Sequence, residues 1–194
     1  VYSNSPTKER LANHNRMKAF LKVGKSVSFP LDVPQYLSSI NRTEASAADA
    51  EAKLTLPKDQ ILHAQFWFIK TTPLDEVAFN HLFAGEIEKA EEIWQKRECL
   101  SALQNRIVCA LIRNRYDSAI KCAEVLYGNT QYLNQFVSTI IGTGGNFDVS
   151  NLAFSFLDIL CDEIGASKLL PFITNSSWKE HIGEKAVKPL VDSI

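Results

Sequence analysis

The residues best suited to acid–base or metal chemistry are four widely separated histidines, His14, His63, His81 and His181. None forms a His-Glu-x-x-His pattern or pairs with a cysteine at the spacing of zinc ligands. His63 stands in an apolar stretch, which favours a hydrogen-bonded core residue over a base or a ligand. We therefore predict no catalytic residues, no metal site and no cofactor. An enzyme site formed by residues distant in sequence stays open as an alternative.

The four cysteines, Cys99, Cys109, Cys122 and Cys161, all lie in apolar stretches. No two of them have the two-residue separation that metal knuckles and redox pairs require. We predict that all four are buried, reduced thiols.

Carboxylates cluster at Glu86, Glu88, Glu91 and Glu92, where a helix is predicted to begin. Acidic side chains in a first turn interact favourably with the helix dipole. We expect these four carboxylates to form a solvated face without a catalytic role.

Two glycine-containing stretches match phosphate-binding loops only in part. Gly24-Lys25-Ser26 matches the end of such a loop, but Ala19 stands where the first glycine is required, and a helix rather than a strand precedes it. The run Gly142-Thr143-Gly144-Gly145 lacks the spacing and the βαβ setting of a dinucleotide loop. We expect neither to bind a nucleotide, and we predict that residues 142–145 form a flexible connection between helices.

The composition is that of a globular chain without a strong overall charge. Its 194 residues are 45% hydrophobic, and 21 basic against 22 acidic side chains give a formal net charge of −1. The apolar residues suffice for a sizeable core. The balanced charge gives no overall field that would attract nucleic acid or an anionic membrane.

The sequence shows no targeting segment. Its first residues are polar, and no stretch has the roughly 18 apolar residues of a membrane helix, so we predict a cytoplasmic protein. Without a secretory signal, the triplets Asn41-Arg42-Thr43 and Asn175-Ser176-Ser177 are discounted as glycosylation sites. The start at Val1 without a methionine leads us to expect a fragment of a longer protein.

Capping residues and apolar spacing predict an almost wholly helical fold. Ser5-Pro6 begins a first helix that Gly24 ends, and an irregular connection broken by two prolines follows at 25–41. A second helix begins at Thr43 and stops before Pro57. Further helices are expected near residues 74–84, 86–96, 99–113, 115–127, 130–141, 149–164, 166–173 and 177–193, and no strand is predicted.

The stretch 61–69 is apolar on nearly all sides. A helix tolerates this pattern only when its neighbours cover most of its circumference. We predict that residues 61–69 form the central helix of the N-terminal half.

An internal repeat is visible at a spacing of 29 residues, where Gly85 to Ala90 aligns with Asn114 to Ala119. Gly and Asn accept the left-handed backbone that reverses a helix, and both alanines are small enough for close helix contact. The repeat therefore predicts helix hairpins.

These units resemble tetratricopeptide (TPR) repeats, although their spacing is shorter than the 34 residues of that family. The resemblance covers about residues 74–127 and implies an array of antiparallel helix hairpins. The residues that fit the pattern of its second helix are Gly85, Ile87, Ala90 and Trp94, and again Tyr116, Asp117 and Ala119, with Asn114 in place of the glycine.

The N-terminal part resembles a DnaJ-type J domain that lacks its first helix. The basic helix Thr7 to Lys22 is similar to the second helix of that family, and the run Ala48 to Asp59 is similar to the end of its third helix and the following turn. The family's His-Pro-Asp triplet is replaced here by the stretch 23–30. The resemblance implies a chaperone-associated role without the usual stimulation of a chaperone ATPase.

The basic helix is the best candidate for a functional surface. Six basic residues and only Glu9 as an acid give the stretch 8–25 a net charge of +5, which could steer an acidic partner. The alternative is a solvated helix face. RNA is a weaker candidate because aromatic residues do not alternate with the cations. The predicted protein-binding residues are Lys8, Arg10, Arg16, Lys18, Lys22 and Lys25.

Together these patterns predict an all-α protein with a J-domain-like region at 1–70 and a TPR-like helical region at 71–194. Arrays of this kind form grooves for peptides, so we expect a non-enzymatic module that binds a protein or peptide, such as a chaperone or its client. No nucleic acid or membrane partner is expected, and the sequence does not indicate an oligomeric state. A structural scaffold within a larger protein is the alternative.

Overall fold

The computed structural model describes residues 1–143 and 147–191, with side chains up to residue 185. Within these ranges the fold is all-α, as predicted, and contains no strand. The helices are α1 (Thr7–Lys22), α2 (Glu44–Lys53), α3 (Pro57–Ala64), α4 (Pro73–Phe83), α5 (Ile87–Gln95), α6 (Leu100–Ile112), α7 (Tyr116–Tyr127), α8 (Thr130–Ile141), α9 (Leu152–Ile164), α10 (Ala166–Leu169) and α11 (Ser176–Val191), with 3₁₀ turns at Pro30–Asp32 and Leu170–Phe172.

The repeat in the sequence corresponds to two helix hairpins, α4–α5 and α6–α7. Gly85 has φ +80° and Asn114 has φ +56°, so both turns use the left-handed backbone that their residue types favour. Ala90 and Ala119 are fully buried, which lets each second helix pack closely on its neighbours. The hairpins are therefore confirmed. Membership of the TPR family stays a prediction. Of the expected connection at 142–145, Gly144 and Gly145 lie outside the described residues.

The prediction of a helix over 61–69 is wrong. Helix α3 begins at Pro57 and ends at Ala64, and the chain then runs through a turn into an irregular segment at 68–70. The side chains of Phe68 and Ile69 are both fully buried, but they belong to two different cores. Successive side chains of an extended chain point to opposite sides, whereas in a helix they lie about 100° apart. An extended segment can therefore place two successive side chains in two different cores, whereas a helix could not.

Two buried amides of α6 hold this segment in place. Asn105 accepts a hydrogen bond from Ile69 N at 3.0 Å and donates one to Ile69 O at 2.9 Å. Gln104 donates from Nε2 to the carbonyl oxygens of Ala64, Gln65 and Trp67 at 2.9–3.1 Å. These carbonyls lie at and beyond the end of α3, where the regular hydrogen bonds of the helix stop. The amide of Gln104 supplies them with a buried donor.

The opposite edge of the segment pairs with the N-terminus of the chain. Ser3 N donates to Phe68 O at 2.9 Å, and the Asn4 side chain bonds both Lys70 N and Lys70 O at 3.0 and 2.7 Å. The bonded main-chain groups of Phe68 and Lys70 thus point to one edge of the segment, and those of Ile69 point to the other. This is the alternation of an extended chain. The N-terminal residues are fixed against the body of the protein by these bonds.

A fully buried carboxylate, that of Asp75, lies in the first turn of helix α4. Asp75 accepts hydrogen bonds from Thr71 N and Thr72 N at 2.8 Å, and from Trp94 Nε1 at 2.9 Å. The carboxylate therefore caps α4 and also ties it to α5. A buried charge is tolerated when hydrogen bonds surround it in this way.

The irregular connection at 25–41 lies against the α4–α5 hairpin. Leu31 and Val33 are buried in its core, and the Tyr36 hydroxyl donates to Gly85 O and accepts from Ile87 N. Val33 adopts φ +38°, which a β-branched residue rarely does, and its fully buried side chain holds it there. The chain itself thus covers this face of the hairpin.

A half-buried ion pair fixes the path of that connection. The Asp32 carboxylate accepts hydrogen bonds from Phe29 N at 2.9 Å and from both terminal nitrogens of Arg42 at 2.5 and 2.8 Å. Burial raises the pKa of Asp32, but the hydrogen bonds and charge of Arg42 outweigh it, so the pKa lies below its usual value. Arg42 immediately precedes Thr43, the residue that caps α2, so the pair sets where α2 begins.

The C-terminal helices join the larger core through caps of their own. Glu124 of α7 accepts hydrogen bonds from Thr174 N and Asn175 N at 2.6 and 2.8 Å. The Asn175 side chain accepts from Ser177 N and Trp178 N, so it caps α11. Among the described residues, no helix is long and apolar enough to cross a membrane.

We expect Asn105→Ala to lower the free energy of unfolding by about 2–5 kcal/mol, because it leaves the buried N–H and C=O of Ile69 without partners. Urea denaturation would measure the loss. Asn134→Ala is the matched control, since Asn134 is exposed on α8 and its loss should change stability by no more than about 0.5 kcal/mol. Equal effects of the two substitutions would contradict the role assigned to Asn105.

We expect Asp32→Asn to destabilise the protein by about 1–3 kcal/mol at pH 7, because Arg42 loses its charged acceptor. The pKa of Asp32 is lowered in the folded protein. The carboxylate therefore contributes fully to the free energy of unfolding above its usual pKa of 3.8, and this contribution is lost as pH falls through the folded pKa. The difference in free energy of unfolding between the variant and the parent protein should therefore shrink below pH 3.8. Unfolding measured between pH 3 and 7 tests this, with the exposed Asp49→Asn as control.

Candidate protein-binding surface

Helix α1 is the least buried of the long helices in the described structure. It has 16 residues, and none of them is buried. Pro6 precedes its first turn and Gly24, with φ +67°, follows its end, so local sequence sets both limits. The helix therefore contributes no fully buried side chain to a core. One of its faces is half-buried, and the rest is exposed.

The cations of the predicted site do not share one face. Lys8, Lys18 and Lys22 are exposed along one side of α1, and Arg16 is exposed on another side, with its guanidinium 5.8 Å from the Phe20 ring. Arg10 is half-buried and lies 3.5 Å from Thr7 Oγ1. Lys25 lies beyond the end of the helix. The structure thus brings together three of the six predicted residues: Lys8, Lys18 and Lys22.

Helix α2 covers one flank of α1. Glu51 of α2 lies 3.5 Å from His14 Nε2 and 3.9 Å from Lys18 Nζ. Near the other end, Leu21 and Ala45 line the same cavity, so the two helices run antiparallel. Only Ala47 of α2 is buried. The pair is held by a few side chains at its edge, and the outer face of α1 stays open.

A cavity of about 590 Å³ lies where α1 ends and α2 begins. Its walls include the cations Lys25 and Arg42. The charge of Arg42 is already neutralised by Asp32, and Glu44 adds a negative charge, so the cavity has no excess of positive charge for an anion. A helix precedes Gly24 and an irregular segment follows it, which is not the setting of a phosphate-binding loop. The lining residues are Leu21, Gly24, Lys25, Ser26, Val27, Ile40, Asn41, Arg42, Thr43, Glu44 and Ala45.

The histidines are dispersed in the fold as they are in the sequence. His81 Nδ1 lies 2.6 Å from Glu86, and His181 Nε2 lies 2.9 Å from Asp158. The expectation that His63 is a core residue is wrong, because α3 turns that position towards solvent. Within the described ranges, no three His, Cys, Asp or Glu residues are grouped as metal ligands would be.

One of the four clustered carboxylates does not belong to a solvated face. Glu91 is only 7% exposed and accepts hydrogen bonds from Arg113, at 3.1 Å, and from Arg115. Both arginines come from the α6–α7 turn, which packs over α5. Glu86 is more exposed, and hydrogen bonds from Lys89 and His81 hold its pKa below the usual value. The role of Glu91 is therefore to join two hairpins.

The cysteines are free thiols in an apolar setting. Cys109 and Cys122 are buried as predicted, whereas Cys99 and Cys161 are only half-buried. Burial raises the pKa of Cys109, Cys122 and Cys161, which disfavours the reactive thiolate. These three thiols are thus poor nucleophiles.

Three buried polar residues with structural roles escaped the sequence analysis: Asp75, Gln104 and Asn105. A signal for Asp75 was present, because Thr72-Pro73 followed by an acid two residues later is typical of a capped helix start. The amide pair lies in the largely apolar helix α6, which marks it as unusual. Its partners are main-chain atoms 36–40 positions away, and the sequence does not reveal them.

Comparison of the chain with protein families, with curated proteins and with solved structures gives no match in any of the three.

Proposed function

We propose that this chain is a non-enzymatic protein-interaction module whose helix α1 binds an acidic segment of another protein. The observation that carries the proposal is that a 16-residue helix with no buried residue lies in a region of net charge +5. Helices of this length are marginally stable in water by themselves. A helix that adds nothing to the core and concentrates one charge is better explained by a partner than by folding.

Local repulsion supports the same conclusion. Lys18 and Lys22 are four residues apart on α1, a spacing at which like charges destabilise a helix. Only Lys18 lies near a carboxylate of α2. An acidic partner would relieve this repulsion, and rim charges of this kind mainly raise the rate of association.

The resemblance of residues 1–70 to a J domain makes a chaperone or its client the first partner to test, in the cytoplasm. The absence of the His-Pro-Asp triplet argues for binding without ATPase stimulation. The TPR-like hairpins would then carry this helix on a rigid body. A scaffold role within a larger protein is the alternative, and it requires no partner at α1.

The test is affinity capture with the full chain, followed by measurement of binding to the captured, purified partner. We expect Lys18→Glu with Lys22→Glu to weaken binding by about tenfold or more, because two attractive contacts become repulsive. Raising the salt concentration should weaken binding of the parent chain, since exposed charges are screened.

The matched control is Lys96→Glu with Arg97→Glu, which makes the same change of charge at exposed positions after α5. Circular dichroism checks that both variants keep their helices. A partner that binds both variants equally well, or no partner above background, would contradict the proposal and favour the scaffold.

A further inference from the structure

We infer that the acidic segment bound by α1 is itself a helix, lying along one row of the α1 surface. The inference rests on the proposed function and specifies its partner. The row consists of Lys8, Leu11, Asn15, Lys18 and Lys22, and every one of these residues is exposed.

The spacing of this row is that of a helix-packing seam. Its members are separated by 3, 4, 3 and 4 residues in the sequence. On a helix this alternation keeps side chains in a single narrow stripe, which a second helix can follow along its length. With a rise of 1.5 Å per residue, the row is about 21 Å long. An acidic helix could place carboxylates against Lys8, Lys18 and Lys22 with the same period.

An extended acidic peptide fits the row less well. Its side chains alternate between two sides at about 3.3 Å per residue, so its carboxylates have a different period from the lysines. Leu11 adds a second requirement, because it is 55% exposed in the middle of a charged row. An amphipathic helix can meet both requirements, since it carries carboxylates beside an apolar side chain on one face.

The structure already contains one contact of the proposed kind. Glu51, a carboxylate on the antiparallel helix α2, lies 3.9 Å from Lys18 Nζ at one side of the row. On the other side Ala12 and Ala19 are exposed and small. A second helix could therefore approach closely from that side. Glu9 follows Lys8 by one residue, so its side chain lies about 100° around the helix from Lys8 and outside the row.

The inference is tested with two labelled 21-residue peptides of equal composition. Both carry glutamates and leucines at alternating spacings of 3 and 4. The first peptide has its two prolines at its ends, so its interior can form a helix. The second peptide has the two prolines in its interior, where they break the helix. Fluorescence anisotropy at low salt measures binding to the full chain. We expect the helical peptide to bind at least about tenfold more tightly than the broken one.

Two double variants separate the row from charge alone. Lys8→Glu with Lys22→Glu changes the row, and Arg16→Glu with Lys25→Glu makes the same change of charge off the row. We expect the first pair to weaken binding of the helical peptide by about tenfold or more and the second by less than about threefold. Circular dichroism confirms that α1 is retained in each.

These experiments distinguish a partner that is acidic but not helical from the absence of an acidic partner. Equal affinity for both peptides, or equal loss in both double variants, overturns the helical partner and leaves an acidic partner in place. Tighter binding of a 20-base-pair RNA duplex, with the same dependence on the row, would assign the surface to nucleic acid and overturn both proposals. No binding of either peptide, together with a captured partner that ignores Lys18→Glu with Lys22→Glu, also overturns both.

Discussion

The fold depends on how the main chain of residues 64–70 is hydrogen-bonded once it has left α3. A buried backbone N–H or C=O without a partner costs about as much as several favourable contacts contribute. Asn105 supplies both a donor and an acceptor to Ile69, and Gln104 donates to the carbonyl oxygens of Ala64, Gln65 and Trp67. Without these two amides, an extended segment between helices would not be a stable centre for the protein.

That segment also decides how the two cores are divided. Phe68 joins the core of the α4–α5 hairpin, and Ile69 joins the larger core formed by α3 and α6 to α11. Helix α6 contributes side chains to both cores, which explains why nearly all of it is buried. Helices α5 and α7 pack against α6, and its amides bond the extended segment. Each core therefore relies on the same helix and on the same stretch of main chain.

The N-terminal region follows a different principle, because charge and local caps shape it more than burial does. The Asp32–Arg42 ion pair and Leu31 and Val33 fix the connection to the α4–α5 hairpin. Beyond that connection α1 and α2 bury only Ala47. The proposed binding surface thus lies on the part of the chain that contributes least to the core. A partner can contact α1 there without disturbing the cores, and charge reversal should change binding more than stability.

The sequence alone determined most of the helices and the two hairpin turns, because capping residues, glycines and apolar spacing act over a few neighbouring positions. The left-handed turns at Gly85 and Asn114 are local requirements of this kind. The sequence also indicated the charge of α1, but it did not show that three lysines of this helix share a row. Only the tertiary structure decided that 61–69 is not one helix and that Glu91 is buried. Those outcomes depend on contacts with residues far along the chain, where the need to pair buried polar groups overrides the local preference for helix.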